Sequence, residues 1–227
     1  MRRLSGWLAR LFKLLAGCPP WFPEGLKKRL RPAAQRGVGR VIAISSGHGA
    51  RIPGAVGILD EVREARRVVR RVAKHLREMG VAVHEFHDDH STTVAGNIAA
   101  IVGWHNSLER DRDVSVHFNA VAGRTSSPIG TEVVVHGTAD AATRRWASRV
   151  ASAMATAGDL RLRRPGEFPG VLDLNVGFTR DIRGFVDGCG KGSVLLEVCF
   201  VNSEEDCRLY DENFDKICVA IAEALAA

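Results

Sequence analysis

No Cys-x-x-Cys pair occurs in these 227 residues, and the five cysteines, at 18, 189, 199, 207 and 218, are odd in number and widely spaced. That excludes a disulfide scaffold and a structural cysteine-rich zinc site, and leaves most of the thiols to pack as small apolar groups. Marks of disorder and of a membrane span are also missing, with 45% of residues hydrophobic and 26% charged, as in ordinary globular domains. Nor does a positive excess belong to the chain as a whole. Residues 1–40 hold ten Lys or Arg against a single acid, Glu24, and carry +9, so the remainder sums to −3 although the total is +6. A nucleic-acid partner would have to rest on that arm alone, and none is expected. A secretory signal lacks its uncharged core, because Arg10 and Lys13 interrupt the run from Met1 to Cys18.

What the first 39 residues do contain is a basic amphipathic arm followed by a Pro- and Arg-rich linker. Leu4, Trp7, Leu8, Leu11, Phe12, Leu14 and Leu15 gather on one helical stripe, as in interfacial helices. Residues 1–36 are therefore expected to meet an anionic membrane or wall polymer. Leu15-Ala-Gly-Cys18 resembles a lipoprotein cleavage box, and a disordered leader or an upstream start codon also accounts for the segment.

From 40 to 227 the periodicity is that of one α/β domain. Apolar strands are expected at 41–45, 81–86, 113–118, 130–135 and 193–200, with helices at 61–79, 95–109, 139–156 and 214–225. Residues 159–192 read as irregular and Gly-rich. In the first helix Ala65, Val68, Val69, Val72, Ala73 and Leu76 share a face, and Gly80 ends it. This alternation implies three layers: a mostly parallel twisted sheet with helices on both faces. Sites in such sheets lie at the carboxyl ends of strands, where His48, His117 and Glu197 fall.

In the strand Asp113-Val-Ser-Val-His-Phe-Asn119, Ser115, His117 and Asn119 point away from Val114, Val116 and Phe118. With His48 after the first strand, Glu61 opening a helix and Glu197 in the last strand, two imidazoles and two carboxylates are available. Three such ligands suit a catalytic zinc ion that keeps one position for water. A further carboxylate then moves the proton from water to the leaving nitrogen. His48, Glu61 and His117 are the metal candidates, and Glu197 is the catalytic one.

The ordered motifs Gly47-His48-Gly49, Glu61, Ser115-Val-His117-Phe-Asn119 and Leu195-Leu196-Glu197-Val-Cys-Phe200-Val-Asn202 resemble those of the zinc-dependent N-acetylmuramoyl-L-alanine amidases, cell-wall hydrolases of bacteria and their phages. The resemblance covers about 40–227. It implies cleavage of the amide between the lactyl group of N-acetylmuramic acid and L-alanine of the stem peptide in peptidoglycan, one zinc on the three ligands, and a catalytic late Glu. Asp60, Glu61 and Glu64 all lie near the family's ligand position. Counting from Glu61 puts Val68, Val69, Val72 and Gly80 in the family's phase, which selects Glu61 and leaves Glu64 as a solvent-exposed partner for a neighbouring Arg.

Other residues have weaker claims. His84, His87 and His90 flank Asp88-Asp89 in a loop, from which His87 can face the cleft and meet substrate. His105 and His136 read as satisfied core or surface residues. Ser115 and Asn119 are assigned to orienting the ligands, and Arg180 and Arg183 to the substrate groove. Two other readings compete with wall hydrolysis: a zinc amidase or peptidase on soluble muropeptides, and a wall-binding module without catalysis. With no wall-binding repeat and no clear export signal, the expected role is a phage or prophage lysin, made in the bacterial cytoplasm and acting at the wall. A host autolysin, lipidated at Cys18, is the rival.

Overall fold

The structure is a computed structural model, described over residues 40–174, 180–190 and 192–227. The readings made for the N-terminal arm, and for Arg180, fall outside the described side chains.

Six strands form one sheet: β1 (Val41–Ser46), β2 (Ala82–Phe86), β3 (Arg112–Asn119), β4 (Glu132–His136), β5 (Val171–Leu174) and β6 (Ser193–Phe200). Their spatial order is β2-β1-β3-β6-β4-β5. The first four in that order run parallel, whereas β4 is antiparallel to β6 and parallel to β5. β-branched residues at alternate positions give each central strand two buried faces, as expected of a sheet covered on both sides. On one face Ile42, Ile44, Val114, Val116, Val133 and Val135 pack under α1 (Glu61–Glu78), α3 (Ala141–Gly158) and α5 (Glu204–Ala226). On the other, Leu195 and Val134 meet Ile101 of α2 (Val94–Asn106) and Phe185 and Val186 of α4 (Arg180–Cys189). This is the expected three-layer α/β domain.

Local chemistry fixes the helix that matters most. Asp60 caps α1 by accepting from Arg63 N at 2.9 Å, and Gly80 takes φ 78° just beyond its end. The six apolar residues assigned to its inner face are all fully buried, each contributing about 1.5–3 kcal/mol by leaving water where the side chain is Val or Leu.

Two expectations need correction. Residues 159–192 are not irregular throughout, since they contain β5 and α4. Gly184 and Gly188, which read as loop residues, are small because α4 lies close on α2: a Cβ on Gly184 would stand 2.8 Å from Ile98, and one on Gly188 2.7 Å from Val102. The last helix begins at Glu204 rather than 214, because Ser203 caps it with Oγ accepting from Asp206 N at 3.2 Å. Among the described residues no helix is long and apolar enough to cross a membrane.

Candidate metal centre

The site is assembled where β1, β3 and β6 end. Gly47 N donates to Val116 O at 2.9 Å, which holds the loop after β1 against β3 and delivers His48. Only glycine fits there, because a Cβ would overlap the His117 ring, and at Gly54 it would strike the Glu61 carboxylate. Glu61 enters from the first residue of α1. Its Oε2 accepts from Ala55 N at 2.6 Å and its Oε1 from Phe118 N at 3.1 Å, so two backbone amides aim the carboxylate.

Glu61 Oε1 lies 3.1 Å from His117 Nδ1 and 3.5 Å from His48 Nε2. The two rings stand edge to face, with centroids 5.1 Å apart. Ligands held at 2.0–2.1 Å around a tetrahedral zinc ion are separated by about 3.3 Å, which these distances bracket. All three donor atoms lie within 4.8 Å of one another, so the residues fit a divalent ion. Burial pushes the Glu61 carboxyl up, but the hydrogen bond from His117 and the charges of His117 and His48 outweigh it and leave the group below its ordinary value.

Glu197 of β6 stands in register with His117 of β3 on one side and Glu132 of β4 on the other. It is 8% exposed, and its Oε2 has no hydrogen-bond partner among the described residues. Burial above all, then the charges of Glu61 and Glu132, raise its carboxyl well above the ordinary range, against the pull of Arg163. A cation held by the triad acts in the opposite sense.

The profile of the N-acetylmuramoyl-L-alanine amidase family matches residues 42–227. The chain belongs to that family. A curated relative from Clostridium perfringens, described only as an uncharacterised protein, is 27% identical over 187 residues, covering 81% of this chain and 51% of its own. The chain thus spans about half the length of that relative. The catalytic domain of CwlV, an N-acetylmuramoyl-L-alanine amidase from Bacillus (Paenibacillus) polymyxa var. colistinus, is similar at 24% identity and TM-score 0.63, over 82% of this chain and 96% of the other. The catalytic domain of the CD27L endolysin, which targets Clostridia difficile, is similar at 18% identity and TM-score 0.66, over 82% and 97%. At these identities the two structures speak for the amidase fold alone.

Within this amidase-family chain the three competing acids separate by role. Asp60 is the helix cap, and Glu61 joins both imidazoles. Glu64 is buried rather than solvent-exposed: it accepts from Arg63 at 2.8 Å, Arg67 at 3.1 Å and the Tyr210 hydroxyl at 3.0 Å. Its arginine partners are as expected, and Tyr210 explains why it turns inward.

The weaker candidates lie around the triad. Ser115 is fully buried, its Oγ has no partner among the described residues, and it lines a cavity of about 30 Å³ with His48, His117, Ile98 and Phe185. Asn119 Nδ2 donates to Glu132 Oε1 at 3.4 Å, and its bonds do not reach the metal ligands. His87 Nδ1 shares a hydrogen bond with Ser46 Oγ at 3.0 Å. Burial, with Arg66 and Arg70 nearby, pushes its imidazole down to about 4. Arg183 pairs with Asp187 one turn along α4, at 3.2 Å. His84 and His90 are exposed, and neither enters a group of converging metal donors.

A second His–carboxylate group also appears. His105 Nδ1 lies 2.8 Å from Asp113 Oδ1, its Nε2 lies 3.0 Å from Ser45 Oγ, and Cys189 is near. Arg110 Nε donates to the same Asp113 oxygen at 2.9 Å, so the carboxylate already has a cation. His105 is a satisfied core residue, as the sequence implied.

Glu132 was missed. It is 1% exposed and ion-paired with Arg163 at 3.2 Å and Arg164 at 2.6 Å. Nothing in a lone Glu between Thr131 and Val133 marks it, because its arginine partners come from more than 30 positions away.

Proposed function

We propose that the protein is a peptidoglycan hydrolase that cleaves the amide between the lactyl group of N-acetylmuramic acid and L-alanine of the stem peptide. The observation that carries this reading is the convergence of His48, Glu61 and His117 beside the buried carboxyl of Glu197, whose Oε2 has no hydrogen-bond partner among the described residues, in a chain of the amidase family. A zinc ion on those three residues supplies a Lewis acid for the amide carbonyl and acidifies water near neutral pH.

The remaining work belongs to the chain. Two backbone amides keep Glu61 from rotating out of the triad, and the sheet register keeps Glu197 next to His117. Glu197 takes the proton of the attacking water and returns it to the departing nitrogen of L-alanine, which leaves as an amine. Carboxylate and amine are the two products.

The test joins metal content to wall hydrolysis in wild type and Glu197→Ala. We expect one zinc per chain in both and new L-alanine amino ends from the wild type only. Zinc-loaded wild type that releases none from sacculi sinks the reading, and a preference for isolated fragments over sacculi replaces wall by soluble muropeptide. As to role, we infer a phage or prophage lysin or an autolysin that acts at the wall. The +9 charge of residues 1–40 supports attachment of the arm to anionic lipid or wall polymer. Deletion of residues 1–36 is expected to weaken cell lysis in a salt-dependent way and to spare hydrolysis of soluble fragments; unchanged lysis makes the arm a passive leader.

A further inference from the structure

Two glutamates side by side on a buried sheet face repel each other, yet β4 and β6 place Glu132 directly opposite Glu197. The segment after α3 resolves part of this conflict. A bridge between Thr131 and Leu162 lays that segment along the start of β4, and Arg163 and Arg164 both face Glu132 Oε2, at 3.2 and 2.6 Å, Arg164 through a hydrogen bond and Arg163 through charge alone. Arg164 does so from φ 52°, the left-handed region that a non-glycine residue rarely occupies. Arg163 lies over the Phe200 ring at 4.7 Å, close by on the strand that carries Glu197, and Asn119 takes the other oxygen of Glu132.

Both guanidinium groups bind the residue directly opposite Glu197, and the charge of Arg163 reaches Glu197 itself; released from Glu132, they would have a second buried carboxyl to pair with, since Arg and carboxylate form the strongest charge-assisted hydrogen bonds available to side chains. A Glu197 captured in that way would have its oxygens tied to guanidinium groups and turned from the centre at His117. We propose that Glu132 is a positioning residue for the reaction: it occupies Arg163 and Arg164 so that Glu197 stays unpaired and free to carry the proton. The inference rests on Glu197 being the proton carrier. It assigns Glu132 no contact with substrate or with the metal.

The test uses the full chain, zinc-loaded, with kcat, KM, zinc content and melting temperature read for each variant. Glu132→Gln frees both arginines and is expected to lower kcat about 100-fold, the low end of what a proton-transfer group contributes, with KM and zinc content unchanged. Adding Arg163→Gln and Arg164→Gln to that variant removes the captors, and most of the lost kcat is expected to return. A merely structural role predicts the reverse, since three changes would harm the packing more than one. Wild-type kcat in Glu132→Gln overturns the proposal, as does a triple variant that is no faster than the single one. Failure of the triple variant to fold also counts against it, because a group kept only to occupy two arginines is dispensable once they are gone. Full activity of Glu197→Gln would instead remove the underlying assignment of Glu197, whatever the Glu132 variants do.

Discussion

Among the described residues two groups of His and carboxylate draw their donors together, His48, Glu61 and His117 in one and His105, Asp113 and Cys189 in the other, and they differ in how their members are partnered. Around His105 both ring nitrogens are taken, by Asp113 and Ser45, and Arg110 balances the carboxylate. Around His117 the donors of His48 and Glu61 also converge, and Oε2 of the adjacent Glu197 has no hydrogen-bond partner among the described residues. His105 is wholly buried, whereas His48 and His117 open onto a small cavity. A buried polar group costs stability until it is satisfied. A cluster that satisfies itself stabilises the fold.

The comparison can be broken from either side. His117→Ala, or chelation of the wild type, is expected to bring hydrolysis to background, a loss of more than about 1,000-fold, while circular dichroism keeps the native shape. Loss of the fold along with activity would show that the first cluster is structural too. His105→Ala should do the opposite. It strands Asp113 and Ser45 in the core and is expected to lower unfolding free energy by about 3 kcal/mol, with kcat per folded molecule unchanged; a denaturant titration beside an active-fraction assay reads both.

A smaller effect concerns acid. Burial pushes the Asp113 carboxyl up, but hydrogen bonds and charges from His105 and Arg110 outweigh it and hold the group below its ordinary value. As pH falls, the unfolded chain therefore takes up the proton first. The stabilisation is complete above the ordinary carboxylate range and is lost as pH drops through Asp113's own lower value. Asp113→Asn should flatten that part of the stability profile, and an unchanged acid limb would remove Asp113 as its cause.

The legible parts of the sequence were those in which one short stretch carries both pattern and chemistry. Alternation in β3 placed His117 on the face opposite Val116, and the helical phase from Glu61 separated it from Asp60 and Glu64. What stayed hidden depended on partners distant in sequence. α4 was missed because Gly184 and Gly188 read as breakers until Ile98 and Val102 stand against them. Glu204 to Asn213 gave no clear apolar stripe, although Ser203 with Asp206 three residues on is a capping signal that was there to be read. Glu132 could not be found at all without the antiparallel register that sets it beside Glu197. Similarly, a helix pattern cannot show that Tyr210 will draw Glu64 inward.

The position of β6 also sets a timetable. It is the last of these six strands in chain order, yet it fills the gap between β3 and β4. Until it arrives, β1, β2 and β3 have no edge to share with β4 and β5, and the contacts that must form are far apart along the chain. Glu197, the proposed proton carrier, rides on that same strand. The centre proposed for hydrolysis therefore cannot be complete before β6 has joined β3.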